Sequence, residues 1–491
     1  MKFPVLPNLF RLRTRQAKHR RPAAPVQRQL TLETLEDRLV PSTLYVNHSG
    51  AFMGHAAFTT ITAAVAGARS RDIIEVGPGD YSAEGAILLP STKIGLELKG
   101  AQGEKDPATA SHGGRVPGDP ATESVVQAFK LQGSKQQISG FTITNPALLG
   151  TGITTDPGHS GYKIVYNIFT NIGGVAVEFN SAGTYHSQVE YNWFDSTSAV
   201  AGLLGPIGQD IDTTKGPLSN AGIGKNWFAG QTTDTTSYSV VIEGVSSSLP
   251  DHRINIVKNT FEGAGNLSQG SLRVSNAIDV NVDKNTITDY VGNGIDLADF
   301  LDGVRVRGSN LDAGGEGAHD AIVATAVFGP TASRHHVRIV GNDISGGLGA
   351  LAGGFGGNGI DVEELFNPST GFSKARFDVS DNHINHVQLG GIKLDGVEDS
   401  ILEKNHSDDN GSDGIQIEVS SGNTLADNTT RHDGYDGIEV DSGSVGNTST
   451  LNKSLDNGHF DFEDSSAGAG TARTGNTWSH NEGATVNPGG L

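Results

Sequence analysis

The chain has 491 residues, 67 glycines, no cysteine and a formal net charge of −20. Without cysteine there are no disulfides, thiolate metal sites or cysteine nucleophiles, and so acidic a chain lacks the basic face that nucleic-acid binding requires. No apolar run approaches the roughly 20 residues that span a membrane as a helix.

Residues 1–42 read as a segment apart from the body, basic and without the pattern of a folded element. Residues 1–38 hold nine Lys/Arg against three acids, so the charge of the body is more negative still. The stretch from Leu30 to Ser42 (LTLETLEDRLVPS) resembles the N-terminal motif of planctomycete extracellular proteins, in which a basic stretch precedes an L-x-x-E-x-L-E-x-R core. The resemblance implies export, to the cell surface or beyond.

Residues 59–69 read as a short amphipathic helix and 73–76 as a strand, followed by the turn Gly77-Pro78-Gly79. A helix here suits the open end of a stacked β-structure, which otherwise exposes core and unpaired backbone. The segment from Phe58 to Tyr81 also resembles the opening of pectate-lyase-like right-handed parallel β-helix proteins. That resemblance covers residues 43–480 and implies the fold; the activity stays open, because this fold hosts lyases, hydrolases, epimerases and binding proteins.

Further along, Asn167-Ile168-Phe169, Asn192-Trp193-Phe194, Asn226-Trp227-Phe228, Asn259-Thr260-Phe261 and Asn342-Asp343-Ile344 share an Asn-x-apolar core at irregular spacing. Loop insertions are expected near 199–239, 299–336 and 346–357, where a rigid scaffold carries binding function. Near the C-terminus the pattern becomes regular. Asn382, Asn405, Asn428, Asn452 and Asn476 fall 23 or 24 residues apart, each followed by a turn and a short alternating strand. A fixed period of this size marks a solenoid. Asparagines stacked about 4.8 Å apart form an amide ladder, and Asn tolerates left-handed backbone. Gly294, Gly359, Gly391, Gly414 and Gly437 precede the strands, where φ > 0 is expected. The fold class is therefore all-β, a single-stranded right-handed parallel β-helix with a short N-terminal capping helix and a tail at 481–491.

Alternation along each strand sends Ile360, Val362, Ile392, Leu394, Ile415, Ile417, Ile438, Val440, Phe460 and Phe462 inward. Two outward columns follow. One runs Asp296, Asp361, Lys393, Gln416, Glu439, Asp461; the other Ala298, Glu363, Asp395, Glu418, Asp441, Glu463. Stacked carboxylates repel, and Ca²⁺ takes oxygen ligands at about 2.4 Å, so Glu363, Asp395, Glu418 and Asp441 are the candidate metal ligands. A solvated acidic face screened by salt is the alternative. Lys393 is the single base of these columns. Beside a cation it fits the removal of a C5 proton from a uronic-acid polymer, with Asp395 as its partner in the catalytic pair; a salt-bridging Lys393 is the other reading. Asp361, Gln416, Glu439 and Asp461 are the candidate substrate contacts. A third column, His386, Asp409, His432 and Asp456, reads as a transition-metal row or as alternating hydrogen bonds.

The function that follows is an exported protein, secreted or held at the cell surface, that binds polysaccharide along an acidic face with Ca²⁺. A polysaccharide lyase or glycoside hydrolase, and a structural or adhesive surface protein, are the alternatives.

Overall fold

A computed structural model describes residues 41–147, 149–195, 209–230, 238–263, 270–290, 292–313, 319–326, 336–346, 357–364 and 376–491. Residues 1–40, which carry the export-like motif, lie outside them, as do 199–208, 231–237, 314–318, 327–335 and 347–356 within the expected insertions.

Among the described residues the chain winds as a right-handed parallel β-helix with three sheets. Sheet A starts at Thr43–Val46 and Ile73–Val76 and ends at Thr477–Ser479. Sheet C, of 14 strands, runs from Gly79–Asp80 to Lys453–Leu455. Sheet B runs from Ala86–Leu89 to Val486–Asn487. Each turn of the coil adds one strand to A, then C, then B. The long strand Gly270–Asp283 crosses from B to A: residues 270–275 pair with Tyr238–Glu243 and residues 277–283 with Asp251–Val257.

Alternation fills the coil as the sequence implies. Ile322, Ile360, Ile392, Ile415, Ile438 and Phe462 lie in one register column of sheet B. All are buried, each stabilising the fold by roughly 1.5–3 kcal/mol. From sheet C, Phe169, Phe194, Phe228 and Phe261 stack inward with centroids 4.6–4.8 Å apart, the rise of one coil. The helix is Ile61–Gly67, with Ile61, Ala64 and Val65 buried. Thr60 Oγ1 accepts from the Ala63 backbone N–H at 3.3 Å, and the Glu84 carboxylate accepts from Ile61 and Thr62, both at 2.8 Å. Four donors at a helix start have no intrahelical partner, and these bonds meet three of them.

The asparagine ladder is longer than the regular repeat. It runs Asn167, Asn192, Asn226, Asn259, Asn285, Ser309, Asn342, Asn382, Asn405, Asn428, Asn452, Asn481. Asn476 does not stand over Asn452; it ends a second ladder, Asn423–Asn447–Asn476. The ladder asparagines also avoid the left-handed region. The residue before each takes it instead: Tyr166, Tyr191, Lys225, Lys258, Asp381, Lys404, Asp427 and Leu451 have φ between 54° and 59°. The turn is thus made one residue early, leaving the asparagine free to point inward.

The glycines before the sheet B strands need correction too. Gly294, Gly359, Gly391, Gly414 and Gly437 are not among the positive-φ residues. They are glycine because there is no room: a Cβ on Gly391 would lie 1.8 Å from Ser407 Oγ, and one on Gly437 1.8 Å from Ser454 Oγ.

Within 199–239 and 299–336, Ile211–Asp212, Ser219–Gly224, Trp227–Ala229, Val304–Arg307, Asn310–Asp312 and Ile322–Ala326 are rungs of the coil. The coil also continues past residue 480, through Asn481 to Val486–Asn487.

Candidate functional site: the outward face of sheet B

Two positions in each coil face the same outward surface of sheet B. One is the residue after the first inward residue of the strand; the other lies two before it, ahead of the glycine. Tyr238 Oη donates to Asp296 Oδ2 at 2.7 Å, and Asn358 Nδ2 to Asp361 Oδ2 at 3.1 Å, each joining the two positions. The face therefore carries Asp296, Val323, Asp361, Lys393, Gln416, Glu439 and Glu463 in one column, the apolar Val323 separating Asp296 from Asp361. Beside it stand Asp320, Asn358, Asp413 and Asp436 in the other. The sequence reading missed this second set because each residue precedes the corner and reads as part of a turn. Its signal was the repeated Asp413-Gly414 and Asp436-Gly437.

The last rung is shifted from the expected register. Phe462, not Phe460, pairs with Ile438, and Glu463 pairs with Glu439. Asp461 therefore leaves the substrate column and sits at the corner, where Asn457 Nδ2 and the backbone N–H groups of Ala484 and Thr485 donate to it at 3.0, 2.7 and 2.9 Å. Burial pushes its carboxyl up, but the Thr485 and Ala484 donors outweigh that and hold it below the ordinary value. Glu463 moves from the second column to the first.

Lys393 stands between rungs, its Nζ 3.1 Å from Glu418 and 3.5 Å from Asp395. Burial works against its charge, yet Glu418, Asp361 and Asp395 raise its pKa. An ammonium so held is a poor base, and it compensates part of the charge assigned from sequence to Ca²⁺. Glu363, Asp395 and Glu418 lie on adjacent rungs as expected. Asp441 has turned away: its Oδ1 accepts from Val419 N, Gly443 N and Ser444 Oγ at 3.2, 3.0 and 2.6 Å.

Asp361 is 6 % exposed and is pushed up to about 7, by burial first and then by Asp320 and Glu363. Gln416 Nε2 donates to Glu439 Oε2 at 2.9 Å. Glu439, Asp413 and Asp320 are likewise raised, chiefly by burial. The face thus gathers carboxyl groups that burial shifts toward the protonated form, Asp361 furthest among these four.

The His/Asp column is a backbone feature. His386, Asp409, His432 and Asp456 all have φ between 53° and 57°, where Asn, Asp and His are enriched. His432 Nδ1 and Asp409 Oδ1 are 3.7 Å apart and exposed. Trp193 is buried under His112 and stacks on Trp227 at 5.5 Å, while Tyr185 is exposed with Lys135 Nζ 3.7 Å from its ring centroid.

Among the described residues no helix is long and apolar enough to cross a membrane. What the coil defines is a right-handed parallel β-helix protein. More narrowly, residues 331–482 match the family described as right handed beta helix region, and residues 47–203 match the family described as protein of unknown function (DUF1565). No curated protein matches the chain. Among solved structures, a double mutant of the periplasmic alginate epimerase AlgG is 11% identical over 84% of each chain, with a TM-score of 0.42. PfbA, a surface adhesin of Streptococcus pneumoniae, is 14% identical over 83% of this chain and 88% of its own, with a TM-score of 0.41. The Dettilon tailspike protein is 14% identical over 89% and 68%, with a TM-score of 0.36.

Proposed function

We propose that the protein is exported and binds polysaccharide along the outward face of sheet B. One observation carries the reading: two side-chain positions of successive coils converge on a single surface, which presents carboxyl, amide and ammonium groups from Asp361 to Glu463, with Asp296 beyond Val323. A polymer of hydroxyl-rich units meets such a strip at repeated intervals, each carboxylate accepting a hydrogen bond that is stronger for its charge. Export is supported by the Leu30–Ser42 motif. Ca²⁺ belongs to this reading wherever the polymer is itself a polyanion, since an acidic face then needs a bridging cation.

Affinity electrophoresis of the full chain against neutral and uronic-acid polysaccharides, with and without Ca²⁺, tests the proposal. Retardation by at least one polymer is expected, weakened about tenfold by Glu439→Gln with Gln416→Ala. Retardation that survives those changes places the site elsewhere.

A second reading is glycoside hydrolysis, and the position of Asp361 favours it. A carboxyl near pH 7 serves as a general acid, and Glu363 on the same strand or Asp320 on the rung before offers the second carboxyl group such chemistry needs. Lyase chemistry through Lys393 requires the ammonium to lose its proton against three carboxylates. Unsaturated uronides released by the wild type and not by Lys393→Met would establish it.

A further inference from the structure

At the C-terminal end of sheet B one cluster is not a product of the repeat. The ligand atoms of Asp436, His459 and Glu463 all lie within 4.8 Å of one another. We propose that these three side chains hold a divalent transition-metal ion of the Zn²⁺ class, with solvent completing its coordination.

The coil explains Asp436 and Glu463 by position but not His459. Backbone pairing puts His459 above Tyr435, and Tyr435 above Ser412, so neither of the two rungs before it carries an imidazole at this place. Its ring plane is fixed from both sides, stacked on Tyr435 at 4.7 Å and against Phe460 at 4.0 Å. Nδ1 is thereby directed at Asp436 Oδ1, 3.0 Å away, and lies 3.9 Å from Glu463 Oε2.

Asp436 supplies the second, independent observation. Its side chain is fully buried. Oδ1 accepts from the Phe460 backbone N–H at 2.6 Å, whereas Oδ2 is buried with no partner. An unmet buried carboxylate oxygen costs several kcal/mol, and here it stands beside a second carboxylate, that of Glu463. A cation removes both penalties at once.

Distances and donor types select the ion. Zn–N bonds of about 2.0–2.1 Å and Zn–O bonds of about 2.0–2.2 Å at tetrahedral angles place ligand atoms roughly 3.4 Å apart, between the separations observed. Ca²⁺ and Mg²⁺ take oxygen ligands, and an imidazole nitrogen disfavours them. The set shares no residue with Glu363, Asp395, Glu418 and Asp441, the calcium ligands expected from sequence. Burial falls from Asp436 through Glu463, 15 % exposed, to His459, 41 % exposed. The ion would be held from beneath and open to solvent on one side, the arrangement of three protein ligands that leaves a position for water or substrate. The inference does not depend on polysaccharide binding.

Chelator-treated full chain titrated calorimetrically with ZnCl₂ alone tests it, with Co²⁺ absorbance as a second readout. One equivalent of Zn²⁺ is expected, with CaCl₂ giving no comparable heat. His459→Gln, at a half-exposed side chain that the fold tolerates, should weaken Zn²⁺ binding more than about tenfold and remove the visible Co²⁺ bands. Asp436→Asn should do the same, and His432→Gln, at an exposed histidine outside the cluster, should change neither. Equal Zn²⁺ binding by wild type and His459→Gln, no binding by the wild type, or Ca²⁺ binding as tight as Zn²⁺ would each overturn the assignment.

Discussion

The side-chain amide of Asn410 donates to Asp433 Oδ1 at 2.9 Å, and the Asn410 backbone N–H reaches the same oxygen at 3.0 Å. Elsewhere this arrangement is amide to amide, as from Asn405 to Asn428 at 3.0 Å. Asp433 donates its backbone N–H to Asn457 Oδ1 at 3.0 Å, but its own Oδ2 is buried without a partner. An aspartate in an asparagine place can pass the ladder on only when protonated.

Burial pushes the Asp433 carboxyl up to about 8, above the roughly 3.9 of an unfolded chain. Its contribution to stability is therefore full below pH ~4, falls as pH rises, and is lost above the folded value. Asp433→Asn should stabilise the protein by about 2–4 kcal/mol at neutral pH. Thermal unfolding at pH 4, 6 and 8 should show the gain growing across that window. A gain independent of pH would refute the protonated ladder.

Asn405 accepts from the Asn382 backbone N–H at 3.1 Å and from its amide at 3.0 Å, and donates to Val379 O at 2.9 Å. Asn405→Ala strands a buried N–H and a carbonyl, a cost of about 2–4 kcal/mol. Ser309 fills the same place naturally, its Oγ accepting from Asn285 N at 3.3 Å. Asn405→Ser should therefore lose clearly less melting temperature than Asn405→Ala.

Arg115 and Glu123 form a buried bidentate pair, with Nε to Oε1 at 3.0 Å and Nη2 to Oε2 at 2.6 Å. The same guanidinium donates to Tyr166 O and Phe141 O at 2.6 and 3.3 Å. Losing one partner leaves a buried charge, so Arg115→Met or Glu123→Leu alone should cost about 3–5 kcal/mol. The double variant should recover most of that loss in a double-mutant cycle; additive losses would show that the pair is not coupled.

Lys393→Met removes the cation between Asp395 and Glu418 and should cost about 1 kcal/mol at low salt. Because these groups are partly solvated, the deficit in melting temperature should shrink at 1 M NaCl. A salt-independent deficit would mean that packing of the aliphatic stem decides it.

Legibility followed periodicity. Asn167 and Asn428 could both be assigned from sequence because each coil must meet the same orphaned backbone groups with the same side chain. The last rung was misplaced because alternating Phe460 and Phe462 imitate the strand pattern. The distance from the ladder asparagine decides the register instead, Asn452 to Phe462 repeating Asn428 to Ile438. Gly391 and Gly437 were recognised as obligatory, but for the wrong reason: the constraint is the serine of a neighbouring rung, which no local dihedral argument contains.

The coil, the inward apolar columns and the asparagine ladder were legible in the amino-acid order, since each arises from interactions repeated at a fixed interval. Which polar side chains share a surface depends on how the corners are folded. Asp436, His459 and Glu463 come from two successive coils and from both sides of a corner. The corner turns residues of different strand phase toward the same solvent face, and a strict two-residue alternation does not describe that.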